Sequence, residues 1–166
     1  ANMYQLFQNA ASFMYPLADP VDYEPDPSNM LGSRAASTGE NVLSLLYDYM
    51  LEQNGAAMCA LMGGANVHES QEVLRKMLMH PETVTGLSDA GAHVTLICDA
   101  TMPTTQLTFW ARDRHLGERI PLEFLVAKQT SRNADLYGLN DRGRLAVGLR
   151  ADINVIDFEN LLDYQH

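Results

Sequence analysis

The chain has 166 residues, 46% of them hydrophobic and 19% charged, with a formal net charge of −10 from 11 basic and 21 acidic side chains. That length and balance suit a soluble globular protein with a buried core rather than a disordered chain. The surplus of acid argues against nucleic acid or an anionic membrane as partner, because phosphates demand clustered Lys and Arg.

No apolar run approaches the roughly 20 residues of a bilayer span, so no membrane association is expected. The first residues, Ala1 to Phe7, lack the basic start and apolar stretch of a signal peptide, and a cytoplasmic location is expected. The two cysteines, Cys59 and Cys98, form neither a disulfide framework nor a zinc-finger spacing and are expected as free thiols.

In chain order, Ser12 to Leu17 reads as a short buried strand. A proline-rich acidic loop follows, Asp19 to Pro27, of the kind that often carries function on a rigid scaffold. Ser28 is placed to cap a short helix running through Arg34 to Ala36. Glu40 to Asn54 predicts a helix, with Val42, Leu45, Leu46, Tyr49 and Met50 at helical spacing and Asn54-Gly55 as its stop. Ala56 to Met62 reads as a buried strand. Ser70 to His80 reads as a helix with Val73, Leu74, Met77 and Leu78 on one face, ended by Pro81.

Thr83 to Ser88 then reads as a strand with Asp89 at its C-terminal end. Helices are expected from about Pro103 to Arg114 and from Leu122 to Tyr137, with Gly138 as a stop. The tail changes character: Ile153 to Asp157 alternates apolar and polar residues as a half-buried strand does. Strands alternating with helices argue for α/β architecture.

The stretch richest in chemistry is His80 to His93, His-Pro-Glu-Thr-Val-Thr-Gly-Leu-Ser-Asp-Ala-Gly-Ala-His. A strand fixes Asp89, and Ala90-Gly91-Ala92 lets backbone or substrate come close. Taken alone, an aspartate after a strand is more often a turn residue or a helix cap. Ser88 has no adjacent base to make it a nucleophile. His80 reads as a helix-closing cation, suited to the C-terminal dipole. His68 and His115 read as surface residues.

The string Gly86 to His93 resembles the last-strand motif of the N-acyl-D-amino-acid deacylase group in the amidohydrolase superfamily. The resemblance extends to His80-Pro81, to Trp110-Ala111-Arg112-Asp113-Arg114, to Tyr137 to Gly143, to Gly148 to Asp157, and upstream to Asp22-Tyr23-Glu24-Pro25. It implies a hydrolase of linear amide (C–N) bonds acting on an N-acyl amino acid or related amide. It implies a (β/α)8 barrel with a small β-sandwich domain. Residues 1–140 would be the C-terminal portion of the barrel and 141–166 the beginning of the small β domain.

It further implies that Asp89 is both a metal ligand and the catalytic proton shuttle. Beside it, His93 is a candidate to orient the aspartate or touch substrate, with a hydrogen-bonded structural histidine as the equal alternative; Tyr23 is a candidate to line the substrate cleft, with loop packing as the commoner reading; and Arg112 is a candidate substrate contact. The metal would be zinc or another divalent ion.

The chain departs from that pattern in two ways. It contains no His-x-His pair, and its histidines, His68, His80, His93, His115 and His166, have no zinc-ligand spacing. A complete barrel needs roughly 250 residues. The expectation is therefore a fragment holding the last strand–helix units, inactive and metal-free by itself, and associating into homo-oligomers. Residues 96–103 also lack the arginine that such deacylases place after the aspartate, which puts D-amino-acid specificity in question. Arg112 and Arg114 are alternative cations, with structural pairing as the competing reading. A non-catalytic structural or assembly module derived from the same fold is the alternative function.

Overall fold

The computed structural model describes residues 2–61, 71–86 and 99–162. It divides into two compact units, Ala1–Gln71 and Glu72–His166.

The first unit begins with a helix that the sequence reading did not foresee, α1 (Met3–Ser12). The Asn2 side chain caps it, accepting from the Tyr4 amide at 3.1 Å. Ser12 belongs to this helix, so the expected Ser12–Leu17 strand shortens to β1 (Met14–Pro16). It pairs antiparallel with β2 (Cys59–Leu61), Met14 opposite Leu61 and Tyr15 opposite Ala60. Between them lie α2 (Leu31–Thr38) and α3 (Val42–Gly55).

Ser28 does not cap α2. Asp26 caps a short 3-10 turn over Pro27–Asn29, its carboxylate accepting from the Ser28 amide at 2.8 Å. The turn separates Ser28 from the helix, which starts after Met30 with no side-chain cap. Asn41 caps α3 through the Leu43 amide at 2.9 Å. Regular geometry in α3 fails at Glu52, and Gln53 and Asn54 take positive φ before Gly55. The stop read from Asn54-Gly55 is thus real, with an irregular last turn.

Ala11, Leu31 and Val42 form the core of this unit, with Met14, Ala35, Leu43, Leu46 and Cys59 packed against them. Gly32 lets α1 and α2 touch backbone to side: a Cβ there would lie 2.6 Å from the Ser12 carbonyl oxygen.

The second unit holds α4 (Glu72–Met79), α5 (Met102–Thr108), α6 (Leu122–Gln129) and α7 (Ser131–Leu136). The helix expected over Pro103–Arg114 changes pitch after Thr108. Residues Phe109–Asp113 form a wider π turn, closed by the Arg114 amide on the Phe109 carbonyl at 2.8 Å. The helix expected over Leu122–Tyr137 breaks at Thr130, where φ −120 and ψ −87 interrupt the ladder. Among the described residues of this unit, the buried apolar side chains are Leu107, Phe109, Trp110, Ile120, Leu125 and Ala134.

Two expected strands are absent among the described residues. Thr83 to Gly86 alternates half-buried and exposed residues as an extended segment does, but has no strand partner there; 87 and 88 lie outside the described residues. Ile153 to Asp157 is not a strand either. Ile153, Val155 and Ile156 are all exposed, and alternation without a neighbouring strand or core to pack on does not make a sheet. The described chain is therefore helix-rich with one two-stranded sheet. On α4 the expected apolar face is only partly used: Leu74 and Leu78 are half-buried, while Val73 and Met77 face solvent.

Candidate functional site

Asp89 and His93 lie outside the described residues, as does Cys98. What is described is the segment leading to Asp89 and the side chains that grip it. Thr83 and Thr85 are half-buried, with Val84 and Gly86 turned to solvent between and after them. Lys128 on α6 has no exposed surface. Its ammonium donates to both the main-chain carbonyl and the hydroxyl of Thr83, each at 2.6 Å.

The Thr83 hydroxyl lies 2.6 Å from the Met77 carbonyl and 2.9 Å from the His80 carbonyl, either of which can accept its single proton. The end of α4 is thereby stitched to α6. Two residues on, Gln106 of α5, itself buried, donates to the Thr85 hydroxyl at 3.5 Å. Gln129 donates to the Gln106 carbonyl oxygen at 2.7 Å and to the Pro103 carbonyl at 2.9 Å.

No sequence signal pointed to Lys128. Lysine reads as a solvated residue, and only its three-residue spacing from buried Leu125 marks the inward face of α6. Burial pushes the Lys128 ammonium below the ordinary lysine range, and the nearby Arg132 charge adds to this.

Arg112 is engaged on three sides. Its Nε and Nη2 donate to the Asp113 carboxylate at 2.6 and 2.8 Å. Its Nη1 donates to the Phe158 carbonyl at 2.6 Å, with its guanidinium 5.7 Å from the Phe158 ring centre. Arg114 is fully buried, stacked 5.0 Å over Trp110. It donates to the Leu116 and Glu118 carbonyls and reaches the Glu72 carboxylate at 3.5 Å.

Glu72 also pairs with Arg75 at 2.9 Å. The hydrogen bond from Arg75 holds the Glu72 carboxyl below its usual range; partial burial opposes this, and the Arg75, Arg114 and Lys76 charges assist it. The geometry thus places both arginines in structural pairing, the reading set beside their substrate role.

Tyr23 sits half-buried in the acidic loop, its carbonyl accepting from the Gln71 side-chain amide. Glu24 beside it is buried, its amide turned onto the Asp22 carboxylate at 2.8 Å.

The Nδ1 of His80 accepts from the Glu82 amide at 3.2 Å, closing the chain just after α4. Cys59 is a free thiol, pushed up by burial with Arg34 opposing.

Among the described residues no three His, Cys, Asp or Glu side chains converge to hold a metal ion. The described residues therefore do not fit a metal centre by themselves. Among them, too, no helix is long and apolar enough to cross a membrane.

The sequence profile of the Amidohydrolase family matches residues 28–166. The chain belongs to the amidohydrolase family. As an amidohydrolase it is similar to an N-acyl-D-glutamate deacylase of Alcaligenes xylosoxydans xylosoxydans, 50% identical over 47 residues, 28% of this chain and 10% of that protein. It is also similar to an imidazolonepropionase of Paracoccus denitrificans (strain Pd 1222), 30% identical over 161 residues, 93% of this chain and 38% of that protein. The amidohydrolase chain thus spans well under half the length of these curated relatives. No solved structure matches it.

Proposed function

We propose that the whole protein is a hydrolase of linear amide bonds, releasing an amino acid from an N-acyl amino acid, with Asp89 as its proton carrier. The family match over residues 28–166, which contains the Gly86–His93 string, carries this reading. The carboxylate of Asp89 takes a proton from the attacking water as oxygen bonds to the scissile carbonyl carbon. It then hands that proton to the departing nitrogen as the C–N bond breaks.

The metal expected of such an enzyme, zinc or another divalent ion, would be held by residues beyond those described, with Asp89 as one ligand. His93 is proposed as a substrate contact. Residues 1–140 are assigned to the last strand–helix units of a (β/α)8 barrel, and 141–166 to the start of a small β-sandwich domain. The chain of 166 residues alone is expected to be inactive.

A second reading has its own support. The relative matched over most of this chain is named for imidazolonepropionate, a ring substrate. Incubating the whole protein with N-acetyl-D-glutamate, N-acetyl-L-glutamate and imidazolonepropionate separates the two. Release of glutamate from either acetylated compound supports the linear-amide reading. Turnover of the ring alone replaces it, and turnover of none favours a non-catalytic module.

Asp89→Asn tests the proton carrier. Asparagine keeps the size but cannot take the proton, so turnover should fall about a hundred- to ten-thousand-fold. Since asparagine is as good a turn residue as aspartate, a turn-only role predicts unchanged turnover.

A further inference from the structure

The three nitrogens of the Arg75 guanidinium, on α4, have three different partners. Nε donates to both carboxylate oxygens of Glu72, at 2.9 and 3.0 Å. Nη2 lies 3.0 Å from the Glu118 carboxylate. Nη1 donates to the thioether sulfur of Met79, one helical turn on, at 3.0 Å. A guanidinium is rigid and planar, so the two carboxylates that fix its plane also fix Nη1 against the sulfur. The Arg75 side chain is only 15% exposed, which leaves it little room to swing away.

A thioether sulfur has two lone pairs, and an oxygen atom is added along one of them. An N–H donor at 3.0 Å stands on one of these paths, because a bonding oxygen must come closer to sulfur than that. Met79 is 37% exposed, so small oxidants reach the side chain. Met77, two residues earlier on the same helix, is 54% exposed, and nothing among the described residues donates to its sulfur.

We propose that Met79 is a methionine-oxidation site of fixed handedness: peroxide converts it mainly to one sulfoxide epimer, the one formed on the lone pair that Arg75 leaves open. That lone pair forms the S–O bond as the O–O bond of the peroxide breaks. The proton of the transferred oxygen passes to the departing oxygen, which leaves as water. Sulfur gives up two electrons and the peroxide takes them. Methionine sulfoxide is reduced back by two enzymes, each confined to one epimer. Repair at Met79 therefore falls to one of them, while an uncovered methionine such as Met77 needs both. The proposal is independent of the role given to Asp89.

In the test, the folded whole protein is treated with hydrogen peroxide to low conversion, quenched, unfolded and digested with trypsin. The peptides are incubated with one reductase or the other, and the sulfoxide left at each methionine is read by fragment mass spectrometry. At Met77 each reductase should clear a similar share. At Met79 one should clear about four times as much as the other, or more. Peroxide treatment in denaturant should bring Met79 to the Met77 pattern. In Arg75→Lys a single ammonium keeps the charge but lacks the fork, so the bias at Met79 should fall towards equality.

Equal clearance at Met79 in the folded protein overturns the proposal, as does a Met79 that stays unoxidised while Met77 converts. A bias of the same size at Met77 also overturns it, since the helix surface alone would then suffice. So does a bias that persists in Arg75→Lys. Should Arg75→Lys not fold, the wild type still decides: a bias at Met79 that survives in denaturant refutes a role for the folded contact.

Discussion

At the scale of single residues, charge pairing around Arg114 dominates the second unit. Arg114 is fully buried and shares Glu72 with Arg75. Arg114→Met should cost about 3 kcal/mol, because the Leu116 and Glu118 carbonyls lose their donor and Trp110 its cation, while methionine retains some of the packing. Chemical denaturation of both proteins measures this.

Glu72 gives the pH dependence. Its carboxyl is held below the ordinary range in the folded chain, so its contribution is complete above the unfolded glutamate value of about 4.3 and is lost as pH falls through the folded one. Asp135, held down first by its hydrogen bond from Arg144, acts in the same direction. Glu72→Gln should therefore lower the thermal midpoint at neutral pH and flatten its decline in acid. A midpoint that still falls as steeply in the variant would assign the acid limb to other groups. The Arg144–Asp135 pair is more than half exposed on both sides, so added salt should erode its share.

At the scale of elements, caps and close approaches decide what is tolerated. Asn2→Ala should destabilise α1 by about 1 kcal/mol through loss of the Tyr4 amide's acceptor. Gly143 has φ +84, and a Cβ there would lie 2.7 Å from the Ala134 Cβ. Gly143→Ala should cost about 2 kcal/mol or more, from the left-handed backbone and the clash together. A midpoint unchanged in this variant would mean that the turn relaxes away from α7.

The helix over residues 42–55 was legible from its apolar spacing and its Asn-Gly stop, and the short strands from their apolar runs. The break at Thr130 was not, because no glycine or proline marks it. In α1, Met3, Leu6, Phe7, Ala10 and Ala11 recur at helical spacing behind Asn2 as a cap, so the cue was present; Met3, Leu6 and Phe7 nonetheless face solvent. The tail failed for the opposite reason. Ile153 to Asp157 has strand periodicity, yet periodicity yields a sheet only where a partner and a core are supplied. Of the candidate site, the Asp89 string was readable as a motif, while its surroundings were not. Nothing in a one-dimensional pattern tells a buried lysine from a solvated one.

At the scale of the whole molecule, the apolar side chains that face solvent are numerous. Met3, Leu6 and Phe7 on α1 are each more than 60% exposed, and Tyr47, Met50 and Leu51 on α3 more than half. Patches of this kind favour association, and a chain of net charge −10 should associate more strongly as salt screens its repulsion. Light scattering of the chain at micromolar concentration should show species larger than a monomer that grow with ionic strength. A monomer at every salt concentration would refute this.

The long-range bonds of the two units also close at different moments of synthesis. The described long-range bonds of the first unit can all form once Gln71 is made: its sheet, the packing of Ala11, Leu31 and Val42, and the Tyr23–Gln71 contact. The second cannot close early. Glu72 waits 42 residues for Arg114, Thr83 waits 45 for Lys128, and Arg112 waits 46 for Phe158. At about 5–20 residues per second, the segment that precedes Asp89 spends seconds on the ribosome before its grip exists. A nascent chain arrested near Arg119 should carry a protease-resistant first unit and a cleavable stretch from Glu72 onward, whereas the chain released from the ribosome should protect both.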